Sequence, residues 1–119
     1  MNADTNNTSG EDRAQYVAVA AEVFSMLADP TRIRIILALA EGELSVNALA
    51  QNVDKAPAAV SQHLAKLRLA RIVTARHEGN RAYYRLSNEH ARRLVTDAIH
   101  QAEHTLDTHP AHHRQPEDP

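Results

Sequence analysis

The chain has 119 residues, of which 43% are hydrophobic, and this is enough for the core of one small domain. It contains no cysteine, so disulfide bonds and thiolate metal sites are excluded, and a reducing compartment is compatible. No apolar run reaches the roughly 18 residues of a membrane-spanning helix, and the polar start lacks the basic and apolar blocks of a signal peptide. We therefore expect a cytoplasmic protein without a membrane partner.

The charge is unevenly distributed. The formal net charge is −2, yet the stretch from Lys55 to Arg85 contains seven basic residues and one acidic residue, Glu78. That stretch carries +6, so the remainder of the chain carries −8. A basic face on an acidic protein favours a polyanionic partner, because phosphate contacts depend on the local field. The alternative is an ordinary solvated charged surface.

Three regions are predicted: a disordered polar tail at 1–12, a folded domain at 13–106, and a flexible histidine-rich tail at 107–119. The first helix is expected from Arg13 to Ala28, because apolar residues recur there at three- and four-residue spacing. These are Val17, Ala20, Val23, Phe24 and Leu27.

A second helix is predicted to follow the pair Asp29-Pro30. Asp is a good N-cap, Pro suits the first helical position, and Gly42 is typical of a residue just beyond a helix end. We therefore place this helix up to about Glu41. Its predicted buried residues are Ile33, Ile36, Leu37 and either Leu39 or Ala40.

The segment 43–70 has the pattern of a helix-turn-helix. A short extended piece, 43–46, precedes a short helix, 46–53, which Ser45 can cap, and a tight turn leads to a helix that Pro57 opens. In this fourth helix, Val60, Leu64 and Leu67 form one apolar stripe. The other sides carry Ser61, Gln62, His63 and Lys66. Hydrogen-bonding groups plus a cation suit a helix that reads the major groove, although an amphipathic helix alone is more often an ordinary surface helix.

Two β-prone runs, 72–76 and 81–86, follow this helix, and the Gly79-Asn80 pair between them suits a hairpin turn. A hairpin directly behind a helix-turn-helix is a wing. Arg76 and Arg81 flank its tip, where they can reach phosphates or the minor groove. Protection of an edge strand is the alternative role for these arginines.

A last helix is predicted from about Glu89 to Leu106, capped by Ser87-Asn88. Its apolar side consists of Leu94, Val95, Ala98, Ile99 and Ala102. Its residues His90, Asp97 and His104 recur every seventh position, so they form a slowly drifting stripe on one side. His90 and His104 lie roughly 21 Å apart along one helix and cannot share an ion. Two antiparallel copies crossing near Asp97 would bring His90 of one chain beside His104 of the other.

Three separated motifs occur in order: 27–32 (LADPTR), 60–67 (VSQHLAKL) and 76–81 (RHEGNR). Over about residues 15 to 106 the chain resembles the ArsR/SmtB family of bacterial metal-responsive repressors. The resemblance implies a mainly α, dimeric winged helix-turn-helix with a small β-hairpin. It also implies a homodimer that binds double-stranded operator DNA, reads it with Ser61, Gln62 and His63, and releases it when metal binds.

The metal-site residues match the nickel/cobalt-sensing branch of this family best. That resemblance implies His90, Glu103, His104, His112 and His113 as ligands of nickel or cobalt, with zinc as an alternative. The zinc pattern of the family falls on Asn88, His90, Gln101 and His104, and two of these are amides, which are poor zinc ligands. Glu103 lies about 140° around the helix from His90, so helix fraying would have to bring it to the other ligands. Further candidates are Asp97, His100 and His109.

Two other functions remain open. The segment 100–104 (HQAEH) matches a zinc-peptidase pattern, H-x-x-E-H, but no third ligand follows and the chain has little room for a substrate cleft. We therefore expect no enzyme. The second alternative is a winged-helix DNA-binding regulator without a metal response.

Overall fold

The computed structural model describes residues 2–107, with side chains described from residue 10 onward. The mainly helical winged helix-turn-helix predicted from the sequence is confirmed. None of the helices in the described part of the chain is long and apolar enough to cross a lipid bilayer. The elements are α1 (Asn2–Leu27), α2 (Pro30–Leu39), β1 (Leu44–Ser45), α3 (Val46–Val53), α4 (Pro57–Leu69), β2 (Val73–Glu78), β3 (Arg81–Leu86) and α5 (His90–Asp107).

Helix α1 begins at Asn2 rather than at Arg13, so the predicted start was wrong and residues 2–12 continue the helix. Those residues have no apolar spacing that would reveal a helix, but extending an existing helix adds one hydrogen bond for each residue that is fixed. Only the end of α1 enters the core. Leu27 is buried, whereas Val17 and Phe24 are 63% and 59% exposed. The boundary predicted at residue 107 lies at the end of the described residues and stays a prediction.

Helix α2 starts as predicted. Asp29 is its N-cap and accepts a 3.0 Å hydrogen bond at Oδ2 from the backbone N–H of Arg32. The predicted burial of Ile36 and Leu39 is confirmed, but Leu37 is 37% exposed and Ile35 is completely buried instead. Helix α2 contacts both α3 and α5, so its buried surface is wider than the one stripe that the spacing indicated.

Helices α3 and α4 form the helix-turn-helix. Ser45 caps α3 by accepting a 3.2 Å hydrogen bond at Oγ from the Ala48 N–H. The predicted stripe on α4 is confirmed, since Val60, Leu64 and Leu67 have no exposed surface. These residues join one hydrophobic core with α2, α3 and the buried residues Ala91 and Val95 of α5. This packing holds the opposite side of α4 outward.

The three strands form an antiparallel sheet in the order β1-β3-β2. Strands β2 and β3 form the predicted hairpin, with Glu78 opposite Arg81 and Gly79 in the turn at a φ of 62°. The sequence predicts only a short extended piece before α3. In the structure Leu44 pairs with Tyr84, so β1 joins the middle of β3 to the start of α3.

Helix α5 closes the domain. Asn88 caps it by accepting a 2.9 Å hydrogen bond at Oδ1 from the His90 N–H. Of its predicted apolar side, Val95 is buried and Leu94 and Ile99 are half-buried, whereas Ala98 and Ala102 are exposed. One edge of this apolar side is therefore uncovered in a single chain.

Candidate nucleic-acid interface and metal-ligand helix

The outer side of α4 is a polar, exposed surface. Ser61, Gln62 and Lys66 all lie on it, because the buried stripe of Val60, Leu64 and Leu67 occupies the other side of the helix. Among the described residues, none of these three side chains makes a hydrogen bond to another part of the protein. Their hydroxyl, amide and ammonium groups are therefore available to an external polar partner such as DNA.

His63 has a different environment from the other predicted DNA-reading residues. It is half-buried, and its Nδ1 accepts a 3.0 Å hydrogen bond from Nε of Arg32 on α2. The same guanidinium donates from Nη1 to the backbone oxygen of Met26 at 3.2 Å and contacts Met26 Sδ at 2.9 Å. His63 therefore connects the recognition helix to α2 and to the end of α1. Sequence reasoning missed Arg32, although it belongs to the motif at 27–32.

The two wing arginines also differ. Arg76 donates from Nε to both carboxylate oxygens of Glu43, at 3.0 and 2.8 Å, and from Nη1 to Glu78 at 3.3 Å. Its Cζ lies 4.8 Å from the centre of the Tyr83 ring. Arg81 is exposed and makes no such ion pair within the described residues. The structure thus leaves Arg81 exposed at the wing tip, whereas Arg76 is held in the middle of the hairpin, opposite Tyr83.

The ion pair between Arg76 and Glu43 shifts both groups toward their charged forms. The hydrogen bond from Arg76 lowers the pKa of the Glu43 carboxyl, and the hydrogen bond to Glu43 raises the pKa of the Arg76 guanidinium. Glu43 was missed from the sequence because it lies far from Arg76 along the chain. The pairing of β1 with β3 brings Glu43, which lies just before β1, close to Arg76 on the neighbouring strand β2.

On α5, His90, Asp97 and His104 are all exposed. The seven-residue spacing places them on one side of an unbroken helix, next to the apolar edge formed by Leu94 and Ala98. Within one chain His90 and His104 are separated by about 21 Å of helix. Accordingly, no group of three His, Cys, Asp or Glu residues in the described part of the chain lies close enough to hold a metal ion.

The structure does not bring Glu103 to this stripe. Helix α5 continues to Asp107, so the fraying that would rotate Glu103 toward His104 is not seen, and Glu103 stays about 140° around the helix from His90. The predicted ligands His112 and His113, and the candidate His109, lie outside the described residues. The residues of the H-x-x-E-H pattern, His100, Glu103 and His104, are all exposed on the last turns of α5.

Known proteins are similar to this chain in sequence and in architecture. The family model "Bacterial regulatory protein, arsR family" matches residues 29–75. The HTH-type transcriptional regulator KmtR of Mycobacterium tuberculosis is 53% identical over 98 residues, which are 82% of this chain and 75% of that protein. A cadmium resistance transcriptional regulatory protein, the CadC homolog of Staphylococcus aureus, is 38% identical over 103 residues, 84% of this chain and 85% of that protein.

Among solved structures, the homodimeric winged helix-turn-helix DNA-binding domain of a possible ArsR-family regulator from Mycobacterium bovis matches with a TM-score of 0.72. It is 33% identical in sequence, and the match covers 82% of this chain and 90% of that one. The order of elements, the three sequence motifs and these similarities all indicate the same family. The chain therefore belongs to the ArsR/SmtB family of bacterial transcriptional regulators.

Proposed function

We propose that the protein is a metal-sensing transcriptional repressor that binds operator DNA as a homodimer and is released when nickel or cobalt binds, with zinc as the alternative metal. The observation that carries the DNA-binding part is the outer side of α4. Its side chains Ser61, Gln62 and Lys66 are exposed and have no hydrogen-bond partner among the described residues, the inner side is completely buried, and strand β2 of the wing contacts the same helix. The family to which the chain belongs supports the same conclusion.

The exposed groups on α4 have the chemistry of a duplex reader. A glutamine amide such as that of Gln62 can pair with adenine in the major groove, and Ser61 can donate to or accept from base edges. Lys66 provides a cation for a phosphate, and Arg81 provides one at the wing. We assign Arg76 a less direct role, because Glu43 already binds it. His63 is bound by Arg32 through Nδ1, so its other ring nitrogen is the one that can contact DNA.

A homodimer explains the uncovered apolar surface. Helix α1 exposes Tyr16, Val17 and Phe24, and α5 exposes Leu106, each by more than half of its surface. An apolar groove between α1, α2 and α5 is lined by Phe24, Leu94 and Ala98, among others. A second copy that packs its own α1 and α5 here would remove this surface from water. The homodimeric relative from Mycobacterium bovis supports this arrangement.

The donor set on α5 fits a metal site between two chains. His90 and His104 flank the apolar edge at which the second copy would pack, and antiparallel α5 helices would pair His90 with the partner's His104. Imidazoles with a carboxylate suit nickel, cobalt and zinc, and the absence of cysteine disfavours thiophilic ions. His112 and His113 would complete the set, and Glu103 would join it only if the last turns of α5 unwound on binding the ion. A bound ion would supply a coordination link between the two subunits.

Such a link gives metal a means of acting on DNA affinity. The dimer would bind DNA with its two copies of α4 about 34 Å apart, one turn of the duplex. Metal would favour a dimer geometry in which this spacing is unsuitable. A coupling free energy of about 1–3 kcal/mol between metal and DNA corresponds to roughly a 5- to 150-fold loss of operator affinity.

The test begins with duplexes selected by the metal-free protein from a random DNA pool. Fluorescence anisotropy then measures affinity for the selected duplex without metal and with saturating nickel, cobalt or zinc. Lys66→Gln should weaken metal-free binding. It should also reduce the slope of log affinity against log salt concentration by about the amount that one phosphate contact contributes. Arg13→Gln, which removes a charge from α1 instead, is the control. Failure to enrich any duplex would refute the DNA-binding proposal.

Replacing His90 and His104 by alanine should abolish the metal effect and leave metal-free binding intact. His77→Ala, which removes a histidine from the wing, is the control in metal titrations without DNA. His112→Ala and His113→Ala should each weaken metal binding. Unchanged operator affinity of the native protein at saturating metal would refute sensing and leave a DNA-binding regulator without a metal response.

A further inference from the structure

One arginine connects three elements around the recognition helix. Arg32 lies on α2, half-buried, and donates from Nε to His63 on α4 and from Nη1 to the last turn of α1 at Met26. Its own backbone N–H is fixed by the Asp29 cap. A planar guanidinium with several donors in fixed directions can make such contacts at once. Rotation of α4 against α1 and α2 would break them.

The contact also determines where His63 carries its proton. A ring nitrogen that accepts a hydrogen bond is unprotonated, so in the neutral imidazole the proton lies on Nε2. The hydrogen-bond geometry assigns this tautomer. Within the described residues Nε2 has no partner of its own. His63 lies one turn before the exposed residue Lys66 on the surface of α4, so the helix carries an N–H donor near that cation.

We propose that Arg32 is a positioning residue for operator recognition: it ties α4 to the end of α1 and sets His63 so that Nε2–H donates to an acceptor on the DNA. Suitable acceptors are guanine O6 or N7, thymine O4 and phosphate oxygens. This inference rests on the operator binding proposed above. It assigns a role to a residue that does not itself touch DNA.

The environment of Arg32 argues against a direct role in phosphate binding. Its Nε donates to His63 and its Nη1 to Met26, so two of its three nitrogens are engaged within the protein. The carboxylate of Asp29 lies next to it, and the hydrogen bond from the Arg32 N–H, with the nearby charges, lowers the pKa of that carboxyl. Arg32 thus acts through other groups. The remaining alternative is a contact that only stabilises the fold.

Two substitutions of His63 separate its two nitrogens. In His63→Gln the amide can donate from about the position of Nε2 but nothing replaces Nδ1. In His63→Asn the amide oxygen can accept from Arg32 but no donor remains near Nε2. We expect operator affinity to fall in the order native, His63→Gln, His63→Asn, with His63→Asn at least about fivefold weaker than native, the value of one hydrogen bond. Native-like affinity of His63→Asn would overturn the donor role.

Arg32→Met tests the positioning role. We expect it to weaken operator binding about fivefold more than Arg34→Met, which removes the same charge from an exposed position on α2. In the His63→Gln background the two methionine variants should have equal effects, because no imidazole remains to be positioned. Equal effects in the native background would overturn the proposal. Absence of DNA binding by the native protein would refute this inference together with the proposed function.

A spectroscopic readout is independent of folding stability. Long-range proton–nitrogen NMR of the His63 ring, at a pH well above the ordinary histidine pKa of about 6.5, reports which nitrogen carries the proton. We expect only the Nε2–H form in the native protein and in Arg34→Met, and a mixture of tautomers in Arg32→Met. The same mixture in the native protein would overturn the assignment.

Discussion

Arg76 of the wing and Glu43 before β1 form a bifurcated hydrogen bond, in which the single Nε–H of Arg76 is shared between the two carboxylate oxygens at 3.0 and 2.8 Å. The pair joins the hairpin to the strand that leads into α3, so it fixes the wing relative to the helix-turn-helix. It also places a negative charge against an arginine that the sequence had assigned to DNA. The wing thus contains one restrained cation, Arg76, and one exposed cation, Arg81.

Glu43→Gln should increase operator affinity severalfold. The substitution removes a negative charge and releases Arg76, so the dependence of log affinity on log salt should steepen by up to about one phosphate contact. Anisotropy titrations over a range of salt concentrations measure both quantities. Glu41→Gln removes an exposed charge two residues earlier and serves as the control. If the two variants behave alike, the ion pair does not restrain Arg76.

Asp29→Ala should lower the free energy of unfolding by about 1 kcal/mol, because it removes the N-cap of α2, whereas Asp29→Asn should cost less because asparagine also caps well. The hydrogen bond from the Arg32 N–H lowers the pKa of Asp29. Its contribution is therefore complete above the ordinary aspartate pKa and is lost as the pH falls through the lowered value. Urea unfolding at a series of acidic pH values should show a weaker pH dependence for Asp29→Asn than for the native protein. Equal dependence would contradict a charged cap.

Arg71→Gly should raise the free energy of unfolding by about 1 kcal/mol. Arg71 follows α4 with a φ of 63°, a left-handed conformation that glycine adopts without the cost of a side chain. The hydrogen bonds from Arg71 N–H to Arg68 O and from Ile72 N–H to Leu67 O, both 2.9 Å, complete this helix end. Thermal unfolding measures the change. Arg68→Gly, inside the same helix, should instead destabilise the protein by about 1 kcal/mol.

Leu64→Ala should cost about 2–5 kcal/mol of unfolding free energy, because Leu64 is completely buried and the substitution leaves a cavity. Leu69→Ala, on the same helix but with an 85% exposed side chain, should change it by no more than about 0.5 kcal/mol. Denaturant unfolding of both variants gives the comparison. A large cost at Leu69 would show that a second copy of the chain, or another surface, covers that residue.

Features that depend on neighbouring residues were predictable. The caps by Asp29 and Ser45, the stripe of Val60, Leu64 and Leu67, and the turn at Gly79 are each set by contacts within a few positions. The start of α1 was not predictable in the same way, since its first residues have no apolar periodicity. Glu103 shows how far spacing could predict the candidate metal site. The spacing places Glu103 away from the histidine stripe, and the unbroken helix keeps it there.

The sequence by itself determined the order of elements, the helix that presents polar groups outward, and the heptad spacing of histidines on α5, because hydrophobic periodicity and capping act locally. Only the tertiary structure decided that His63 is bound by Arg32, 31 positions away, and that Arg76 is held by Glu43, 33 positions away. The physical reason is that such pairs depend on how helices and strands pack. Packing determined which of the predicted DNA-facing side chains are free and which are already bound.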